Sequence, residues 1–107
     1  MDKQIDVADQ RAGDIMCALQ SVVDPELGVD VVNLGMIYGV EIKDNVCEIT
    51  MTLTHMWCPV SDYLKVAIDK AAISVEGIDR CNIKLVWEPK WTVDKMSRVA
   101  RIAMNLE

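Results

Sequence analysis

The single histidine of the chain, His55, stands three residues before Cys58 in the run Thr54-His55-Met56-Trp57-Cys58-Pro59. An imidazole and a thiolate at that separation in a loop can converge on one metal ion, or pair as base and nucleophile. Proline suits the first position of a helix, where its missing N–H is not needed, so Pro59 marks Cys58 as an N-cap. At an N-cap the unpaired backbone N–H groups and the positive end of the helix dipole favour a thiolate. The plainer reading of the same residues is a small side chain at a tight strand-to-helix junction, with His55 a solvated polar group.

Two carboxylates, Asp24 and Glu26, flank Pro25 further up the chain. Acidic residues beside proline are ordinary turn formers. If their loop folds back over the Cys58 junction, they instead add hard oxygen ligands or a base to a soft sulfur. Such a mixed S/N/O set suits an iron or zinc site that exchanges its cargo. Met56, Trp57 and Trp91 fall on loops, where they either fold into the core or form an apolar patch for a partner. The remaining cysteines, Cys17, Cys47 and Cys81, make no C-x-x-C and no zinc-knuckle spacing. Cys47 and Cys81 read as small buried hydrophobes on strands, and Cys17 as incidental on a helix.

The elements that must position these groups follow from periodicity. Residues 8–23 place Ala12, Ile15, Met16, Leu19, Val22 and Val23 on one helical stripe, which Pro25 ends. The stretch from Asp24 to Met36 has no period, and a connection of that length in a small domain is usually functional. Residues 37–43 predict a strand with Tyr38, Val40 and Ile42 on one face, and Asp44-Asn45 a tight turn. Residues 46–54 predict a second strand with Cys47, Ile49, Met51 and Leu53 inward and Glu48, Thr50, Thr52 and Thr54 outward. A helix opened by Pro59 buries Val60, Leu64, Ala67, Ile68, Ala71 and Val75, and ends at Gly77. Residues 80–88 predict a third strand with Cys81, Ile83, Leu85 and Trp87 on the core face. Thr92 is placed to cap a last helix that draws its buried residues from Val93, Met96, Val99, Ala100 and Ala103. The order α-β-β-α-β-α implies a small α+β two-layer domain, a mixed sheet covered by helices, spanning 1–107 with 1–8 as a mobile tail.

A net charge of −6 with scattered Lys and Arg disfavours nucleic acid, whose binders cluster positive charge against phosphates. The apolar runs are too short to cross a bilayer. The polar start MDKQIDVADQ does not resemble a signal peptide, so a cytoplasmic location with reduced thiols is expected.

The segments DPELGVDVVNLGMIYGVEI, the strand running into Cys58-Pro59, and VWEPKWTVDKMS together resemble the SufT/PaaD-like metal–sulfur cluster assembly family. That family includes Suf-associated maturation factors, phenylacetate-pathway PaaD domains and eukaryotic cytosolic relatives. The resemblance runs from about residue 15 to 106 in unbroken order. It implies an accessory, non-enzymatic role in carrying or delivering iron–sulfur clusters, or iron, to client apoproteins. It places the family's motif cysteine on Cys58, followed by Pro59, its acidic pair on Asp24 and Glu26 with Leu27 and Gly28, and its strand-end hydroxyl on Thr54. His55 departs from the small hydroxyl residue usual in the family, and Trp57 from a small residue or Met.

The implied cofactor is a transient iron–sulfur cluster or iron, and the implied partners are Suf-type assembly proteins and client apoproteins. Clusters are normally held by several thiolates, and this chain offers one candidate, so the rest must come from a homodimer, a partner or a small thiol. Two other readings stay open at this point. One is a thiol enzyme with Cys58 as nucleophile and His55 as base, which lacks a glycine-rich oxyanion cradle. The other is a non-metal adaptor that binds clients or assembly machinery through the Trp57/Trp91 surface.

Overall fold

The structure, a computed structural model, describes residues 4–5, 10–54 and 61–106. Its elements are β1 (Gln4–Ile5), α1 (Gln10–Leu19), β2 (Ile37–Lys43), β3 (Val46–Met51), α2 (Ser61–Ile73), β4 (Arg80–Leu85) and α3 (Arg98–Ala103), with a 3-10 turn at Val93–Lys95 before α3. The sheet is four-stranded in the order β1-β2-β3-β4. The hairpin β2–β3 is antiparallel and turns at Asp44, whose φ of 57° is the left-handed conformation that Asp tolerates. β4 returns parallel to β3 through α2, and β1 adds a parallel edge to β2. The α+β two-layer class is therefore the one expected.

The core lies between sheet and helices. Ala12, Ile15 and Leu19 of α1 and Leu64, Ile68 and Ala72 of α2 meet Val40, Ile49 and Met51 of the sheet, all fully buried. Both helical stripes are amphipathic at the 3.6-residue period, which is why one face of each can enter this layer.

Several expectations need correction. Gln4 and Ile5, within the stretch read as a tail, pair with Gly39 and Val40 of β2. α1 stops at Leu19 rather than continuing to Val23: Gln20, Ser21 and Val22 wind out through i→i−3 hydrogen bonds. Val23 then bridges Asp30 and is exposed. Val22 stays buried in the core as the stripe expects, while the bridge to Asp30 takes Val23 out of it. In β2, a register shift between Ile37 and Gly39 puts Ile37 opposite Met51. A bulge of this kind changes which side chain faces the core. Tyr38 is buried elsewhere, donating its hydroxyl to the Pro89 carbonyl at 2.8 Å under the Lys95 ammonium, 5.6 Å from the ring centroid.

Thr52 is fully buried, not outward. Its backbone N–H is bonded to the Met36 carbonyl, and alternation alone does not separate wet from dry there. β4 ends at Leu85, leaving Trp87 40% exposed rather than in the core. The last helix is capped by Ser97, whose Oγ accepts from the Ala100 N–H at 3.1 Å, while Thr92 makes no side-chain cap to the 3-10 turn. Of the residues proposed for burial there, Met96 and Ala100 are buried and Val93 and Val99 exposed.

Candidate functional site

The irregular stretch from Asp24 to Met36 is built on two aspartates that fold their own backbone. Asp24 is 1% exposed, and its Oδ1 accepts the N–H of Glu26 at 2.8 Å and of Leu27 at 3.3 Å. The Asp24 carbonyl accepts the Gly28 N–H at 2.7 Å, and Gly28 has the positive φ of 71° that glycine adopts freely. Asp30 repeats the device: Oδ2 accepts from the N–H of Val32 at 3.1 Å and of Asn33 at 3.0 Å, while Oδ1 takes the Asn33 amide at 2.7 Å. Aspartate turns of this type satisfy backbone donors where no helix or strand does. Val31, Leu34 and Met36 can then point into the core, all fully buried.

The end of this stretch lies along the strand that leads to the cysteine segment. The Thr52 N–H donates to the Met36 carbonyl at 2.9 Å, continuing β3 beyond Met51. The C-terminal segment locks the same region from the other side. Trp91 donates its indole N–H to the Leu34 carbonyl at 2.7 Å, and Ser97 its backbone N–H to the Asn33 carbonyl at 2.8 Å. Gly35, with φ of 75°, is packed so closely against Lys95 that a Cβ would overlap the Lys95 carbonyl.

Among the sequence-predicted site residues, Thr54 is half-buried at the exit of β3, and Ser61 begins α2 on the far side. His55, Met56, Trp57, Cys58, Pro59 and Val60 lie between them, outside the described residues. Asp24 is buried and engaged by backbone, Glu26 on the same turn is exposed, and Leu27 packs partly against the core. Trp91 is half-buried with its indole nitrogen bonded inward.

Of the other cysteines, Cys17 is exposed on α1, Cys47 is buried, and Cys81 is partly exposed. Among the described residues no three His, Cys, Asp or Glu side chains gather to hold a metal ion.

Sequence reasoning missed Asp30, although the repeat of Asp two or three residues ahead of the N–H groups it binds is visible in DPEL and DVVN. It also missed Thr52, whose buried hydroxyl has no hydrogen-bond partner among the described residues. No local signal distinguishes Thr52 from the half-exposed Thr50.

Comparison with known proteins gives this architecture its context. The chain is 47% identical over 94 residues to the Fe-S protein maturation auxiliary factor YitW of Bacillus subtilis, covering 87% of this chain and 92% of that protein. It is 42% identical over 86 residues to the Fe-S protein maturation auxiliary factor SufT of Staphylococcus aureus, covering 79% of this chain and 98% of the relative. The crystal structure of the DUF59 domain of Bacillus anthracis superposes with a TM-score of 0.85 at 35% identity, over 92% of this chain and 94% of that one. The family model described as iron-sulfur cluster assembly protein matches residues 13–85, the span from α1 through β4 that holds both the aspartate turns and the Cys58 segment. The chain belongs to the iron–sulfur cluster assembly protein family.

Proposed function

We propose that this protein is an accessory maturation factor that carries iron–sulfur clusters, or iron, to client apoproteins in the cytoplasm, with Cys58 supplying the thiolate that touches the cargo. The observation that carries this reading is the family match, which spans the Cys58 segment, taken with the state of the other thiols. Cys47 is buried, and Cys81 is its direct neighbour across the sheet. Clusters are held by several thiolates, so ligation through Cys58 must be completed by a second copy, a Suf-type assembly protein, the client or a small thiol. Shared, incomplete ligation lets the cargo leave, whereas a closed four-thiolate site retains it.

His55 adds a nitrogen donor three residues from the thiolate, and Glu26 is the exposed carboxylate of the acidic turn. Asp24, whose Oδ1 is spent on two backbone N–H groups, serves by fixing the shape of that turn. In this reading the protein performs no turnover of its own: Cys58 is a ligand rather than a nucleophile.

The test is cluster transfer. Anaerobically loaded wild type and Cys58→Ser are mixed with apo-aconitase, and the recovery of aconitase activity is followed over time. The reading expects recovery with wild type and a loss of at least about tenfold in rate with the variant, the scale of losing a coordinating ligand's contribution. Equal rates would remove Cys58 from the transfer.

A further inference from the structure

β3 and β4 run parallel, and their register sets Cys47 directly opposite Cys81. Side chains of paired residues project from the same face of a sheet. Neighbouring strands lie about 4.8 Å apart, inside the Cα separation of roughly 4.4–6.8 Å that a disulfide spans. We propose that Cys47 and Cys81 form a reversible intrachain disulfide when the protein meets a hydroperoxide, a modification site separate from Cys58. The two residues differ in access: Cys47 has no exposed surface, and Cys81 is partly exposed on the edge strand. An oxidant therefore arrives at Cys81, with Cys47 placed behind it as the resolving sulfur.

The protonation of the pair agrees with this division. A hydrogen bond between the two sulfurs lowers the Cys47 pKa against the opposing effects of burial and of Glu48. The same bond raises that of Cys81, with burial and the charges of Cys47 and Asp69 adding to it. The shared hydrogen bond thus makes Cys47 the more readily ionised sulfur and favours the proton on Cys81. Reaction begins once Cys47 has lost its proton and the Cys81 proton crosses to it. The Cys81 thiolate attacks one oxygen of hydrogen peroxide, the O–O bond breaks, and hydroxide leaves a sulfenic acid on Cys81. The Cys47 sulfur then attacks the Cys81 sulfur, the S–O bond breaks, and the Cys47 proton leaves with the hydroxyl as water. The sulfurs lose two electrons and the peroxide gains them. Because Cys81 rests as the thiol, this reaction is slower than that of an activated N-cap thiolate.

The consequence is topological. The closed loop runs from Cys47 through the remainder of β3, the Cys58 segment and α2 to β4. Oxidation ties together the two strands that flank the cargo-handling crossover without consuming Cys58. A thiol reductant opens it again by exchange.

The test uses the full chain with Cys58→Ser, so that no link to Cys58 can form or reshuffle. The reduced protein is treated with hydrogen peroxide, quenched with N-ethylmaleimide at low pH, digested without reductant and mapped by mass spectrometry. The expected product is a peptide pair joined through Cys47 and Cys81, lighter by two hydrogens, with loss of two alkylatable thiols on unfolding and their return after dithiothreitol. Cys81→Ser, at the partly exposed position, should keep the fold by circular dichroism and abolish the linked pair. Cys47 and Cys81 both recovered in alkylated form after peroxide treatment, or a dominant link to Cys17, would overturn the proposal.

Discussion

Asp24 is named by its chemistry as a possible ligand and by its geometry as the keystone of a turn, and a pair of substitutions separates the roles. Asp24→Asn keeps an Oδ1 acceptor for the Glu26 and Leu27 N–H groups, whereas Asp24→Ala leaves both without it. Urea denaturation should show Asp24→Asn near wild type and Asp24→Ala less stable by about 1–3 kcal/mol, the cost of stranding buried donors. If Asp24→Asn instead unfolds as readily as Asp24→Ala, the charge rather than the acceptor holds the turn. At Gly35 the positive φ and the adjacent Lys95 carbonyl leave no room for a side chain. Gly35→Ala should lower the urea midpoint strongly, by about 3 kcal/mol or more of stability. A neutral result would mean that the Lys95 turn moves away at little cost. Candidate residues could be singled out one by one in the sequence, at Cys58-Pro59 and the acidic pair. What they bond to could not, because a backbone N–H two residues away and a metal compete for the same carboxylate and the sequence looks alike in both cases.

At the scale of elements, the hairpin was the most readable part. Alternation in β2 and β3 and a single short turn specify it, and the boundaries Ile37–Lys43 came out as expected. Failures fall where contacts outside the local period decide. Thr52 is buried on the face that alternation leaves to solvent, and Val23 leaves the helical stripe to meet Asp30. The C-terminal segment holds the aspartate stretch through side chains, so single bonds there are testable. Trp91→Phe removes the indole N–H that reaches the Leu34 carbonyl while keeping most of the aromatic surface. Thermal unfolding should reveal a loss of about 1 kcal/mol, and an unchanged midpoint would show that packing alone secures the segment. Arg11 of α1 ties the β2–β3 turn to the α2–β4 connection at the opposite end of the sheet. Its guanidinium donates to the Asp44 carbonyl at 2.9 Å, the Gly77 carbonyl at 2.9 Å and the Asn45 side chain at 3.2 Å. Arg11→Ala should cost about 1–2 kcal/mol by the same measurement, and a loss below a few tenths would assign those bonds to solvent-exchanged contacts.

For the molecule as a whole, the fold packs the acidic stretch beside β3, the strand that leads to the Cys58 segment. The measurement that bears most directly on this account is anaerobic reconstitution with iron and sulfide, comparing wild type with Cys58→Ser. Iron and labile sulfide per chain are determined together with the mass of the complex. The account predicts that wild type binds both as a complex larger than a monomer, at about one cluster per two chains, or only with added thiol, and that the variant binds neither. A full cluster on a wild-type monomer without added thiol, or equal iron and sulfide on Cys58→Ser, would contradict it.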